Sequence, residues 1–107
     1  MTTIEATKKA ITNLTTTPVL IWTTAAPNRF GVLYGHGSTN TANLLIKAVA
    51  RGATAPAITT ANRDFELSPG QTLENDNGLH DASKDIYWCM VSGTGTGGTM
   101  AQEKLAQ

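Results

Sequence analysis

Asp85-Ile86-Tyr87-Trp88-Cys89-Met90-Val91-Ser92 decides the fold class of this 107-residue chain. Side chains alternate along an extended backbone, so Ile86, Trp88 and Met90 share one side and Tyr87, Cys89 and Val91 the other. Both sets are apolar. A strand with two apolar faces belongs at the centre of a sheet, with cover on each side. The Gly/Thr run that follows, Gly93-Thr94-Gly95-Thr96-Gly97-Gly98, is expected to turn the chain. Residues 99–105 are then expected to return as an edge strand.

Upstream, apolar runs recur at roughly ten-residue spacing with turn residues between them. Val19-Leu20-Ile21-Trp22-Thr23 is one such run. Phe30 to Tyr34 is a second, with Phe30, Val32 and Tyr34 on one face and Leu33 on the other. Residues 42–51 carry Leu44-Leu45-Ile46 and Val49. Their length would allow a helix, but the neighbouring pattern favours a strand. Ala57-Ile58-Thr59-Thr60 reads as a short strand, and Phe65-Glu66-Leu67 alternates as a half-buried one. Ala26-Pro27-Asn28, Ser68-Pro69-Gly70-Gln71 and Asn75-Asp76-Asn77-Gly78 are turn signals. The expectation is an all-β fold: a small antiparallel β-sandwich or jelly-roll-like barrel.

Residues 1–17 stand apart from that pattern. Thr2 and Glu5 have capping-box spacing, and Ile4, Ile11 and Leu14 could share a helical face. The same residues could equally be extended. Residues 1–17 are therefore expected as a flexible arm or short helix, and residues 18–107 as a single β domain, with both tails open to acting as arms. Pro18 ends any helix, because the residue before a proline avoids the α region.

Composition narrows the function classes. Charged residues make up 15% of the chain, well below the usual quarter. Threonine fills much of that gap, and its β-branched side chain suits a half-exposed pleated surface. The formal net charge is zero, and the eight Lys and Arg are scattered, with Lys8-Lys9 adjacent. Nucleic acid binding needs a concentrated basic surface, so it is not expected. No apolar stretch approaches the ~20 residues of a membrane-spanning helix. Residues 1–9 lack the apolar centre of a signal peptide, so the chain is expected to be made in the cytosol and not exported by that route. One cysteine, Cys89, permits no intrachain disulfide.

Candidate chemistry is thin. His36, His80 and Cys89 do not form the spaced pairs that metal ligands adopt, and the two histidines read as surface residues. Asp76, Asp81 and Asp85, with Asn75 and Asn77, are rich in oxygen but lack calcium-loop spacing. Turn hydrogen bonding accounts for them. Neither Gly-rich segment carries the lysine of a phosphate loop. Ser38, His36 and an aspartate compose a triad on paper without the G-x-S-x-G elbow. Asn13-Leu14-Thr15 matches a glycosylation sequon that an unexported chain would not use. Trp22, Tyr34, Tyr87 and Trp88 could stack on sugars, although aromatics within strands more often pack cores. No catalytic residue, cofactor or metal ligand is expected.

The order of motifs resembles small virion proteins of tailed phages. Pro27-Asn28-Arg29-Phe30 leads into a strand, Leu67-Ser68-Pro69-Gly70 turns the middle, and Ile86-Tyr87 with Ser92-Gly93-Thr94 precedes a last segment holding Glu103. Gly35-His36-Gly37 departs from the Asn-x-Gly turn of that group. The resemblance covers residues 27–103. It implies a compact sandwich or jelly roll that decorates capsids or forms a fibre base, and a location in the virion. The implied partners are the major capsid protein, other virion proteins and further copies of itself. It also implies that residues 1–17 reach a neighbouring subunit. A carbohydrate- or receptor-binding domain of a phage fibre or spike is the alternative.

Overall fold

The computed structural model describes residues 2–22, 29–75 and 84–106, with side chains described for 9–22, 33–74 and 84–100. The described residues form eight strands and no helix. They are β1 (Thr2–Leu14), β2 (Val19–Trp22), β3 (Arg29–His36), β4 (Leu44–Ala50), β5 (Phe65–Leu67), β6 (Thr72–Asn75), β7 (Lys84–Met90) and β8 (Gly95–Ala106). Two four-stranded antiparallel sheets result, ordered β1-β8-β3-β6 and β2-β7-β4-β5.

The pairing is nested. β1 pairs β8, β2 pairs β7, β3 pairs β6 and β4 pairs β5. Two further pairings, β3 with β8 and β4 with β7, complete the sheets. Four nested antiparallel pairs rolled into two facing sheets are a jelly roll. The expected all-β sandwich is therefore present, and its strand order is specified.

The buried residues follow from strand alternation. Leu14, Ile21, Trp22, Tyr34, Leu44, Ile46, Leu67, Ile86, Trp88 and Met90 form the core between the sheets. β7 is central in its sheet, as its two apolar faces require. Ile86, Trp88 and Met90 face the core, whereas Tyr87 and Cys89 are buried outside that cluster. Val91 lies past the end of β7 and is exposed.

What covers the outer face of β7 is the 51–64 loop. Cys89 Sγ lies 4.0 Å from the carbonyl oxygen of Ile58. Gly52 N–H donates to Asp85 Oδ2 at 2.9 Å. At the other end of the loop, Ala48 N–H donates to Asp64 Oδ2 at 2.7 Å, and Asp64 N–H to the Ile46 carbonyl at 2.8 Å. Ala57-Ile58-Thr59-Thr60, expected as a strand, belongs to this loop instead. Asn62 overrides the β-branched residues there. Its Oδ1 accepts from Thr59 N–H at 2.8 Å and its Nδ2 donates to the Ala57 carbonyl at 2.8 Å. A side-chain amide thus supplies the partners that a neighbouring strand would have provided.

Three expectations at the ends of the chain are decided by the pairing. Of the readings open for residues 2–14, the extended one holds and the short helix does not: they are strand β1, paired along β8 from Thr2↔Ala106 to Leu14↔Gly95. Thr2, Thr3, Ile4, Thr7, Ile11 and Thr12 are β-branched, which favours a strand once a partner is present. β8 is not an edge strand: it lies between β1 and β3. Finally, Gly95, Gly97 and Gly98 lie inside β8 rather than in a turn.

The physical reason for that last correction is Trp88. A Cβ at Gly97 would stand 3.0 Å from the Trp88 ring and 2.8 Å from the Gly35 carbonyl oxygen. Glycine here makes room for the indole. Genuine turn glycines are elsewhere, as at Gly70 with φ +82°, where Gln71 N–H closes the Ser68-Pro69-Gly70-Gln71 turn onto the Ser68 carbonyl at 3.0 Å. The turn signals at 26–28 and 76–78 lie outside the described residues.

Candidate functional site

His36 is buried, at 4% exposure, not on the surface. β3 continues through it, so its ring points between the sheets rather than into a loop. Nε2 lies 2.7 Å from the Ala42 carbonyl oxygen, and Nδ1 lies 3.0 Å from Asn40 Nδ2. A carbonyl can only accept, so Nε2 carries the proton and Nδ1 accepts from the Asn40 amide. The amide also donates to the Thr96 carbonyl at 2.6 Å, and its oxygen accepts from Thr96 N–H at 2.9 Å. Backbone bonds continue the knot: His36 N–H to Gln71, Gly70 N–H to the His36 carbonyl, and Gly37 N–H to Thr96. With both ring nitrogens engaged, His36 ties the 37–43 loop to the 68–71 turn beside β8 and has no free nitrogen to serve as a base. The paper triad with exposed Ser38 does not assemble.

A second polar cluster links the sheets. Trp22 Nε1 donates to Thr99 Oγ1 at 2.9 Å, and that hydroxyl donates to the Leu33 carbonyl at 2.8 Å. Lys9 Nζ sits 4.3 Å from the centre of the Trp22 ring and donates to the Ile21 carbonyl at 2.6 Å. The ammonium thereby closes one side of the core, with its charge held by a ring face and a carbonyl. Trp88 contributes a different contact, an edge-to-face packing on Tyr34 at 5.5 Å and 78°. Its Nε1 is buried without an acceptor, and Asp85 Oδ1 is buried without a donor.

These packings dispose of the sugar-stacking platform. Trp22, Trp88 and Tyr34 are at most 2% exposed and Tyr87 is 8% exposed. Cys89 is buried at 1%, and burial pushes its thiol pKa up from the ordinary value. A thiol held neutral is a poor nucleophile. Among the described residues, no three His, Cys, Asp or Glu side chains are grouped to hold a metal. His80, Asp76, Asp81 and Asn77 lie outside the described residues, so the acidic cluster is not assembled from what is described.

Among the described residues, a concave surface lies on the outer face of the β1-β8-β3-β6 sheet. Gly98 pairs Ala10 on one side and Gly35 on the other, and Gly35 pairs Thr72. This row of small residues crosses all four strands. Met100 and Leu33, paired two residues away, form the wall. The result is an open apolar trough of about 460 Å³ lined by Lys9, Leu33, Gly35, Thr72, Gly98, Thr99 and Met100. It offers shape without acid, base or nucleophile directed at a common point. Sequence reasoning missed it because the trough depends on register. Gly35 and Gly98 are 63 positions apart in the chain (98 − 35) and become neighbours only when β3 pairs β8.

No known family model matches this chain, and no curated protein matches it significantly. No helix among the described residues is long and apolar enough to cross a membrane.

Proposed function

We propose that this chain is a non-enzymatic structural protein of a phage particle: a capsid decoration, cement or accessory protein that binds the major capsid protein. The observation that carries the reading is the nested β1·β8, β2·β7, β3·β6, β4·β5 pairing. That topology recurs in viral capsid domains as well as in lectins and cupins. Fold alone does not choose among these. Burial of Trp22, Tyr34, Tyr87 and Trp88 removes those four rings as a surface for stacking on a sugar. The motif order from Pro27 to Glu103 favours a virion protein among the remaining choices.

A low-charge, threonine-coated surface also suits repeated contacts on a lattice. Each contact is small, and symmetry multiplies it over the particle. The test is gradient fractionation of lysates from cells that produce the chain together with its phage. Co-sedimentation with heads is expected. A pool confined to the unassembled fractions overturns the reading. The alternative, a carbohydrate- or receptor-binding domain of a fibre or spike, predicts instead a specific hit on a glycan array.

A further inference from the structure

The 51–64 loop is fastened to the second sheet at its two ends and only lightly between them. It leaves β4 through a turn in which Ala53 N–H donates to the Ala50 carbonyl at 3.0 Å and Gly52 has φ +80°. Asp85 Oδ2 accepts from Gly52 N–H at this end, and Asp64 Oδ2 accepts from Ala48 N–H at the other. Between the anchors Pro56 and Ile58 are half-buried, and the rest of residues 52–63 are exposed. The attachments in this stretch are weak ones: exposed Lys47 Nζ donates to the Asn62 carbonyl at 2.9 Å, and Cys89 Sγ stands 4.0 Å from the Ile58 carbonyl oxygen. Thr59 and Asn62 bond within the loop itself, so those bonds persist if the loop lifts as one piece. A segment that buries little apolar surface and keeps its own hydrogen bonds lies at the low-stability end of a fold.

Asp85 adds a term that opposes closure. It projects from the same side of β7 as Tyr87 and Cys89, toward the loop. At 5% exposure its Oδ2 is bonded, but its Oδ1 is buried without a donor. A carboxylate oxygen taken from water without a donor is costly, and such an atom marks a reservoir of strain. Lifting the loop returns that oxygen to water. The two anchors therefore differ: Asp64 holds the loop down, and Asp85 holds it through one oxygen while resisting through the other.

We propose that residues 51–64 form a hinged strap that opens as a unit while the two sheets stay paired, with Asp64 as its latch and the half-satisfied Asp85 carboxylate biasing it toward opening. Opening uncovers Leu45, Tyr87 and Cys89, each at most 8% exposed under the strap. Leu45 pairs Cys89, and exposed Leu20 pairs Tyr87. The open form thus presents one apolar face across β2, β7 and β4. The device is independent of the virion reading, since it follows from how the loop is fastened.

Labelling of Cys89 by N-ethylmaleimide in the full chain tests the strap, at urea concentrations below the unfolding transition. Fluorescence of the buried Trp22 and Trp88 follows global unfolding in parallel. Freeing a strap exposes less surface than unfolding the domain, so the labelling rate should rise with urea less steeply than global unfolding does. Equal slopes overturn the proposal, and this arm needs no variant. Asp64→Ala should speed labelling at least about fivefold in the absence of urea, while the tryptophan signal stays native. An unchanged rate overturns the latch. Asp85→Asn keeps an acceptor for Gly52 N–H and removes the buried charge, so labelling should be slower than in the wild type. Faster labelling in Asp85→Asn overturns the role given to Asp85.

Discussion

Gly97 and Trp88 are matched, and the match sets the spacing of the two sheets at this point. Replacing Gly97 with alanine inserts a methyl 3.0 Å from the Trp88 ring and 2.8 Å from a backbone oxygen that cannot swing away. Overpacking of this kind costs about 1–3 kcal/mol. At roughly 4–8 °C per kcal/mol for a domain near this size, a fall of several degrees in Tm is expected by calorimetry. An unchanged Tm would mean that the indole is free to move aside. Cys89 gives a second residue-scale prediction. Its thiol should react with a maleimide far more slowly in the native chain than in denaturant. Burial raises the folded pKa above the unfolded one. The unfolded chain therefore loses its proton first as pH rises. This contribution to stability is complete below about pH 9 and is lost as pH climbs toward the folded pKa. Denaturation midpoints at pH 8 and above pH 9 should fall in the wild type and differ less in Cys89→Ala.

At the scale of elements, the 51–64 loop behaves as part of the second sheet's packing. Its ends are fixed by carboxylates: Asp85 receives Gly52 N–H and Asp64 receives Ala48 N–H. Asp64→Ala leaves the Ala48 amide without that acceptor. A destabilisation of about 1–3 kcal/mol is expected. Hydrogen exchange should speed up at Ala48 and at the outer-face residues Leu45, Tyr87 and Cys89, which the loop shelters. Exchange confined to Ala48 would show that the cover holds without its anchor. The legibility of the elements follows the same division. β2, β3, β4, β5 and β7 could be read because each carries its own apolar alternation or run. Residues 42–51 were ambiguous by length, and their neighbours correctly favoured a strand. The pairing of β1, the start of β8 and its central place are not legible locally, because the partner lies some hundred residues away. The glycines of β8 answer to a tryptophan on another sheet, not to local turn chemistry. His36 was misread for a related reason. A glycine on each side makes it look like a loop residue, but Gly35 is accommodated in β3, and Asn40 with the Ala42 carbonyl binds the imidazole.

For the molecule as a whole, the jelly-roll order places the most distant parts of the chain side by side. Sequence pattern reached the layered all-β architecture, since short alternating strands joined by turn residues leave few other solutions. It did not reach the strand order, because nested pairing is decided by which edges remain available after local hairpins form. The trough across Ala10, Gly98, Gly35 and Thr72 was invisible for the same reason. One consequence of Thr2↔Ala106 is practical. The start of β1 and the end of β8 are adjacent, so a few glycine and serine residues can bridge them, and the cut can be moved to the exposed residues 53–55. Such a circular permutant should fold with its spectrum preserved. In it the outermost pair, β1 with β8, would become a hairpin and the innermost pair, β4 with β5, would become the long-range one. The order of assembly would be inverted while the final structure stayed the same.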